Sequence, residues 1–597
     1  MNKIPKRNEA DPKYTWDLSV LFADDDAWKE EHAALKDVPA KVAAFCGKLN
    51  DAKTLLAYFQ LCDELNVRLS KFYGYAACKS DEDTGNTVYQ DLKSKAFALL
   101  VEIESAGAFA KPEIVAIPDE QIDAFYKEEP ALETYRRDLY LLRRMADHTL
   151  SGECEKLLAT AGEIADAPEA INSVFHDAEL KFDDVTDNEG NAHVLSNASF
   201  VPLLESPDRE FRSRVFDAYY RRLGSFKHTV AAAVNAQFKQ LRFFADARRY
   251  PSTLEAALHR TEVPVAVYKN LIEAVHQNLD KMYRYVSLRK KLLGTDDVHM
   301  YDVYTPVVPD AAKTVGFEEA KKTVLEALSV LGEDYTALLK KGFDERWIDV
   351  YENEGKRGGA YSSGNAYPHP FVLLNHKDNL DSLFTLAHEM GHALHSWHSC
   401  QYQPVNTADY VIFVAEVAST CNEILLMRYL LSHTDDKKQK AYLINHFLDQ
   451  FKGTVYRQTM FAEFEMMMGE MSEAGETLTA DLLNEKYLAL NTLYYGPEMV
   501  QDKGIELEWA RIPHFFYNYY VFQYATGFSA AAAIADRILT LGEPAVKDYK
   551  KFLSGGCSAD PITLLKIAGV DMSTPDPVNA GLKLFGELID EMEKLCL

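Results

Sequence analysis

A mainly α-helical fold of two lobes is predicted for this chain by three observations. Apolar residues recur at helical spacing through most of the sequence. Gly and Pro, the residues that interrupt helices, number only 29 and 22. The length, 597 residues, exceeds what one hydrophobic core organises, so at least two lobes are expected.

From Trp16 to about Phe175 the pattern reads as successive long amphipathic helices, for example around Lys53–Cys78 and Asp91–Phe109. Leu180 to Leu195 reads as a hairpin turning at Glu189-Gly190. Ser206-Pro-Asp-Arg opens a helix, with Pro207 expected at its first position, and helices then run to about Leu293. The lobe boundary is expected near residue 200, giving an N-terminal helical lobe over 1–200 and a second domain over 201–597. The apolar run Pro370-Phe-Val-Leu-Leu-Asn375 reads as a short strand, and the chain beyond Glu423 reads as helix to Leu597. No internal repeat at solenoid period is evident.

Composition is globular, with 47% hydrophobic residues and no low-complexity tract. No apolar stretch approaches the ~20 residues that span a bilayer. The start, Met1-Asn-Lys-Ile-Pro-Lys-Arg7, carries charge but no apolar core, so no signal peptide is evident. The eight cysteines are scattered without a C-x-x-C pair, and Cys400 and Cys421 fall in the region richest in chemistry. Reduced thiols and a cytoplasmic location are the expectation. A net charge of −27 argues against nucleic-acid and anionic-membrane partners and favours basic peptides. A monomer is expected.

His388-Glu389-Met390-Gly391-His392 has the form H-E-x-x-H. On a helix, residues four apart share one face, so His388 and His392 can hold one metal ion from the same side. Glu389 can then reach a water on that metal. Two imidazoles with an adjacent carboxylate form the zinc-hydrolase arrangement. The flanking run from Asp381 to Ala387 starts with an N-cap residue and predicts a helix over about 381–398. Leu383, Leu386, Ala387, Met390, Ala393, Leu394 and Trp397 make that helix apolar over most of its circumference. It is therefore expected to be buried, where its histidines and glutamate need partners.

A catalytic zinc keeps three protein ligands and one open position. His398 stands where a metzincin places a third histidine, but the turn-forming Gly of that motif is replaced by His395. On a continued helix His398 lies roughly 240° around from His392, on the wrong side. His395 shares the face of His388 a turn beyond the metal and reads as a flanking group behind the ligands. Glu416 is the better third ligand. It interrupts the apolar run Tyr410-Val-Ile-Phe-Val-Ala-Glu416-Val-Ala-Ser, where a lone carboxylate is costly unless paired or metal-bound. Pairing with a buried Arg or Lys is the alternative. Glu423, seven residues on, shares its face and suits the role of accepting a ligand histidine's free N–H.

Three segments together resemble the M3 family of zinc metallopeptidases, and within it the oligoendopeptidase F group. They are His388-Glu-Met-Gly-His-Ala-Leu-His395, Phe413-Val-Ala-Glu416-Val-Ala-Ser419 with Glu423, and the aromatic stretch Arg511-Ile-Pro-His514 to Gly527. The resemblance covers the chain from about Lys3 to its end. It implies a helical enzyme with one zinc per chain that cuts internal bonds of short unstructured peptides. It also implies a deep substrate channel between two helical lobes, with a small β element beside the active-site helix. His388, His392 and Glu416 are implied as ligands and Glu389 as the base that activates a zinc-bound water. A His and a Tyr pair from a late helix are implied as oxyanion stabilisers. His514 matches that histidine. Tyr517, Tyr520 and Tyr524 share one face if the segment is helix, while Tyr519 points elsewhere. Tyr520 and Tyr524 are favoured, with Tyr517 close behind; plain core packing is the alternative.

Upstream, Lys356-Arg-Gly-Gly-Ala-Tyr-Ser-Ser-Gly364 is Gly-rich without the Gly-Lys-Ser/Thr of a phosphate loop. Zincins hold peptide along an edge strand beside the metal helix, and the resemblance implies a substrate-facing loop around Gly358, Gly359 and Tyr361. Two rivals remain. A peptidyl-dipeptidase of the same type would need a cation to clamp the substrate's C-terminal carboxylate. A carboxylate-bridged di-iron bundle would use Glu389…His392 with Glu273-Ala-Val-His276, leaving His388 idle.

Overall fold

In the computed structural model, which describes residues 4–308, 314–363 and 368–596, two compact units are each assembled from three chain segments. The first comprises Met1–Asp147, Ala312–Leu426 and Ile534–Gly569; the second comprises His148–Ala311, Met427–Ala533 and Val570–Leu597. The residue-200 division runs along the chain, whereas residue 200 itself lies inside the second unit and residues before 147 pack with those carrying the H-E-x-x-H motif. Among the described residues, no helix is long and apolar enough to cross a membrane.

Helices dominate both units, as expected. In the first unit, Ala52–Glu82 and Thr87–Gly107 pack against each other. Asp51 and Asn86 cap them by accepting the backbone N–H groups of Thr54 and Val88. The longer helix buries Leu55, Phe59, Phe72 and Ala76 at helical spacing, and Trp28 stacks on Phe72 at 4.5 Å. This core extends to Phe371 and Leu373, which ties the small sheet of the unit to its N-terminal helices.

That sheet has three strands, and its order is Ile348–Asp349, Val372–Leu373, Tyr361–Ser362. The Pro370–Asn375 run therefore supplies the inner strand, parallel to the first and antiparallel to the last. Phe371, Val372, Leu373 and Leu374 are all buried, as a strand paired on both sides requires. The edge beside the motif helix belongs instead to Tyr361–Ser362, in the Gly-rich segment. Gly364 lies outside the described residues.

In the second unit the expected hairpin forms, pairing Val185–Thr186 with Ala192–His193. The following helix is Arg209–Gly224, and Asp208 caps it by accepting the N–H groups of Glu210 and Phe211. Pro207 thus precedes the cap and is not the first helical residue; an Asx cap outcompetes it. Helix Leu279–Leu293 closes on Gly294 in the left-handed region. The C-terminal half is not helix throughout. Met499–Val500 pairs in parallel with Val298–His299, and residues 505–516 form two 3₁₀ segments. Leu597 lies outside the described residues.

Candidate active site

The motif helix spans Leu380–Tyr402. Its cap is Asn379, which accepts the Ser382 N–H at 2.9 Å; Asp381 lies within the first turn, where its charge suits the helix dipole. Leu383, Leu386, Ala387, Met390, Ala393 and Leu394 are each at most 1% exposed. The expected burial is therefore present.

The carboxylate helix, Ile412–Ser432, lies against it at very short range. A Cβ on Gly391 would stand 2.6 Å from Ser419 Cα and 2.8 Å from the Ala418 carbonyl oxygen. Only glycine permits this approach. Asn422 latches the two helices, donating from Nδ2 to the Ala387 carbonyl at 3.1 Å while accepting the Tyr335 hydroxyl at 3.0 Å. Neither Gly391 nor Asn422 was singled out from sequence. Asn422, a polar side chain in an apolar run, carries the same signal as Glu416.

The close approach brings three atoms that could ligate a metal together. His388 Nε2 and His392 Nε2 are 3.1 Å apart, and Glu416 Oε2 lies 3.4 and 3.5 Å from them. A tetrahedral zinc with ligands at about 2.0–2.1 Å sets neighbouring ligand atoms about 3.3–3.4 Å apart, so this donor set fits such an ion. Among the described residues, His388, His392 and Glu416 form the group able to hold a metal; His398, Glu273 and His276 are not in it. His276 instead pairs with Glu463 at 2.7 Å.

The surroundings support each donor. Glu423 Oε1 sits 2.6 Å from His388 Nδ1, which fixes the proton there and leaves the Nε2 lone pair free for a cation. With no cation on Nε2, burial works against a charged His388, but the bond to Glu423 outweighs it and raises its pKa to about 9, so a metal binding at neutral pH displaces the Nε2 proton. Burial likewise opposes ionisation of Glu416, yet His392, His388 and the Ser419 hydroxyl, 3.2 Å away, hold its carboxyl at about 2. Glu389 is 6% exposed, and its Oε2 has no partner among the described residues. Burial raises its pKa, partly offset by His388 and His392, which brings it closer to the range useful for proton transfer.

The two neighbouring histidines point to packing. His395 stacks on Tyr410 at 3.8 Å and is pushed down to about 3 by burial. His398 stacks between Tyr335 and Tyr402 and is pushed down to about 4 for the same reason. Both are neutral rings in the core.

Tyr361 faces inward: its hydroxyl donates to Asp81 at 2.8 Å, and its ring lies near Trp16. Gly358 and Gly359 precede it, with space around both α-carbons and a positive φ of 82° at Gly359. Asn375 Nδ2 holds this loop by donating to the carbonyls of Arg357 and Gly359.

The aromatic stretch lies in the second unit and departs from the helical expectation. Pro513–Phe516 is a single 3₁₀ turn, Asn518 and Tyr519 have φ of 56° and 60°, and α-helix starts only at Phe522. Long-range bonds impose the turn. The Tyr519 N–H donates to Glu465 at 2.7 Å, its hydroxyl bonds Thr253 at 2.6 Å, and Gln237 donates to the Phe516 carbonyl and Asn518. The residues nevertheless gather: Tyr524 lies 3.3 Å from His514 Nε2, and the Tyr517 and Tyr520 rings lie 5.5 and 6.4 Å from the His514 ring. Tyr519 is buried instead, against Thr253 and Glu465.

Comparison with known proteins shows the family of the chain. The sequence model of peptidase family M3 matches residues 202–584, and that of oligopeptidase F matches 113–182. Oligopeptidase PepF of Bacillus subtilis is 44% identical, over 100% of this chain and 89% of its own. Group B oligopeptidase PepB of Streptococcus agalactiae is 40% identical, over 99% of this chain and 98% of its own. A crystal structure from Chlamydophila abortus superposes with a TM-score of 0.93 at 34% identity, covering 99% of this chain and 100% of that one. Oligoendopeptidase-F from Enterococcus faecium gives 0.75 at 37% identity, covering 96% and 99%. The chain belongs to peptidase family M3, as a metalloendopeptidase of the oligoendopeptidase F group.

Proposed function

We propose that this metallopeptidase holds one zinc ion on His388, His392 and Glu416 and hydrolyses internal bonds of short unstructured peptides, with Glu389 as general base. The observation that carries the reading is the convergence of three ligand atoms within 3.1–3.5 Å, beside a buried Glu389 oxygen that has no partner among the described residues. The oligopeptide preference rests on the names of the relatives, Oligopeptidase PepF and Oligoendopeptidase F. A division near residue 200, separating an N-terminal segment from the catalytic one, fits the start of the family match at 202.

When bound, zinc supplies Lewis acidity toward a water and the scissile carbonyl. Glu389 takes the proton of the attacking water and returns it to the leaving amine. Glu423 keeps His388 in the tautomer that presents Nε2. The edge strand Tyr361–Ser362 accepts peptide by strand addition. For His514, Tyr520 and Tyr524 we propose hydrogen-bond donation to the oxyanion, with Tyr517 contributing to substrate binding. A cytoplasmic monomer remains the expected context.

Mass spectrometry of the products from a short peptide blocked at both ends tests the reading. Internal cuts that stop on chelation are expected. Cleavage confined to peptides with a free C-terminus would favour a peptidyl-dipeptidase instead.

A further inference from the structure

Strand addition needs an edge held in place before the peptide arrives, because ordering it on binding would cost affinity. The Gly-rich segment is a poor candidate for holding itself. Gly358 and Gly359 have open space around them, and Gly355 and Gly359 both adopt positive φ. Besides Asn375, which holds the Arg357 and Gly359 carbonyls, its fixation comes from a distant part of the sequence, the C-terminal end of helix Ala52–Glu82.

Asp81 is the centre of that attachment. It is 4% exposed. Its carboxylate accepts the Tyr361 hydroxyl at 2.8 Å and pairs with Arg357 and Lys93, each at 3.2 Å. Its backbone carbonyl accepts the Arg357 N–H at 2.9 Å. Next to it, Asn353 donates to the Glu82 carbonyl, and Thr84 donates from both N–H and hydroxyl to the Gly355 carbonyl. The loop entering the edge strand is thus bound at 353, 355, 357 and 361 to residues 81–84.

The register shows what this attachment controls. Ser363 N–H bonds the Phe371 carbonyl, and Tyr361 pairs with Leu373. In an antiparallel pair inward and outward residues alternate, so the N–H and C=O of Ser362 point away from the inner strand. Tyr361 is the residue before it, and Asp81 fixes its side chain. The edge strand packs on the motif helix, so a shift here moves a bound peptide relative to His388 and His392.

We propose that Asp81 is a positioning residue that sets the edge strand Tyr361–Ser362 for peptide binding, although it lies outside the segment 202–584 that matches the peptidase family M3 model. The inference rests on the strand-addition reading above. It gives the N-terminal segment a role in substrate affinity without contact to substrate.

Steady-state kinetics of the zinc-loaded full chain tests this with Asp81→Ala, Asp81→Asn, Tyr361→Phe and the double variant Asp81→Ala/Tyr361→Phe. The substrates are one peptide and its backbone N-methylated analogues. Asp81→Ala should raise KM about tenfold, the scale of a misplaced binding element, with kcat and zinc content near wild type. Asp81→Asn keeps an acceptor for Tyr361 and should recover part of the loss. The double variant should be no worse than Asp81→Ala. Wild type should lose binding to one N-methylated analogue, and Asp81→Ala should lose that selectivity. Wild-type KM and selectivity in folded Asp81→Ala would overturn the inference. If Asp81→Ala does not fold, unchanged KM and selectivity in both Asp81→Asn and Tyr361→Phe would overturn it. Wild type indifferent to every N-methylation would instead sink strand addition itself, and the inference with it.

Discussion

Gly391 and Ser419 are in backbone contact: a Cβ on the first would overlap the Cα of the second at 2.6 Å. This pair sets the spacing of the two helices that carry His388, His392 and Glu416. The motif's glycine is therefore a structural part of the proposed metal site. Gly391→Ala forces the helices apart, and overpacking of this kind costs about 1–3 kcal/mol. The expected result is a folded protein with weakened zinc binding and turnover lowered at least about tenfold. Zinc titration against a chromophoric chelator checks it. Wild-type affinity would show that the helices separate without moving Glu416.

Glu423 bonds the outer nitrogen of His388 at 2.6 Å. Removing such a partner typically weakens metal binding about 10–100-fold. Glu423→Ala should show that loss, and Glu423→Gln, which keeps an acceptor, should show less. Equal affinities for the two variants and wild type would mean that His388 is oriented by packing alone.

Glu465 gives a pH signature. Complete burial pushes its carboxyl up to about 8, partly opposed by the Tyr519 N–H. Between the ordinary carboxylate range and pH 8 the folded chain holds a proton that the unfolded chain has released. This contribution therefore favours the fold at low pH and fades as pH rises through that window. Glu465→Gln is neutral throughout and removes the dependence. The Tm of the variant relative to wild type should be higher at pH 8 than at pH 5. A difference that stays constant would place the Glu465 titration outside this range.

The metal-capable group was legible because its signals are local. Two histidines four apart need only a helix, and Glu416 stands out as a charge inside an apolar run. Long helices and the hairpin were legible from periodicity and turn residues for the same reason. The failures share a cause as well. The spacing of Tyr517, Tyr520 and Tyr524 fits a helix, but Glu465 and Thr253, 54 and 266 residues away, hold Tyr519 in a left-handed turn. The run 370–375 reads as a buried strand, but periodicity does not say which neighbours flank it. Tyr361 sits in an apparently open loop, and only its partner Asp81, 280 residues distant, reveals that it faces inward.

In the proposed mechanism Glu389 works on the attacking water while His388, His392 and Glu416 hold the ion. Glu389→Gln changes one carboxylate to an amide of the same size beside an intact ligand set. Zinc content and cleavage of a blocked peptide, measured on the same sample, separate the two roles. The expected result is one zinc per chain, as in wild type, with turnover reduced by at least about 10²-fold, the contribution of a general base. Full turnover would contradict the assignment of the base, and loss of the zinc together with turnover would show Glu389 to be part of the metal site instead.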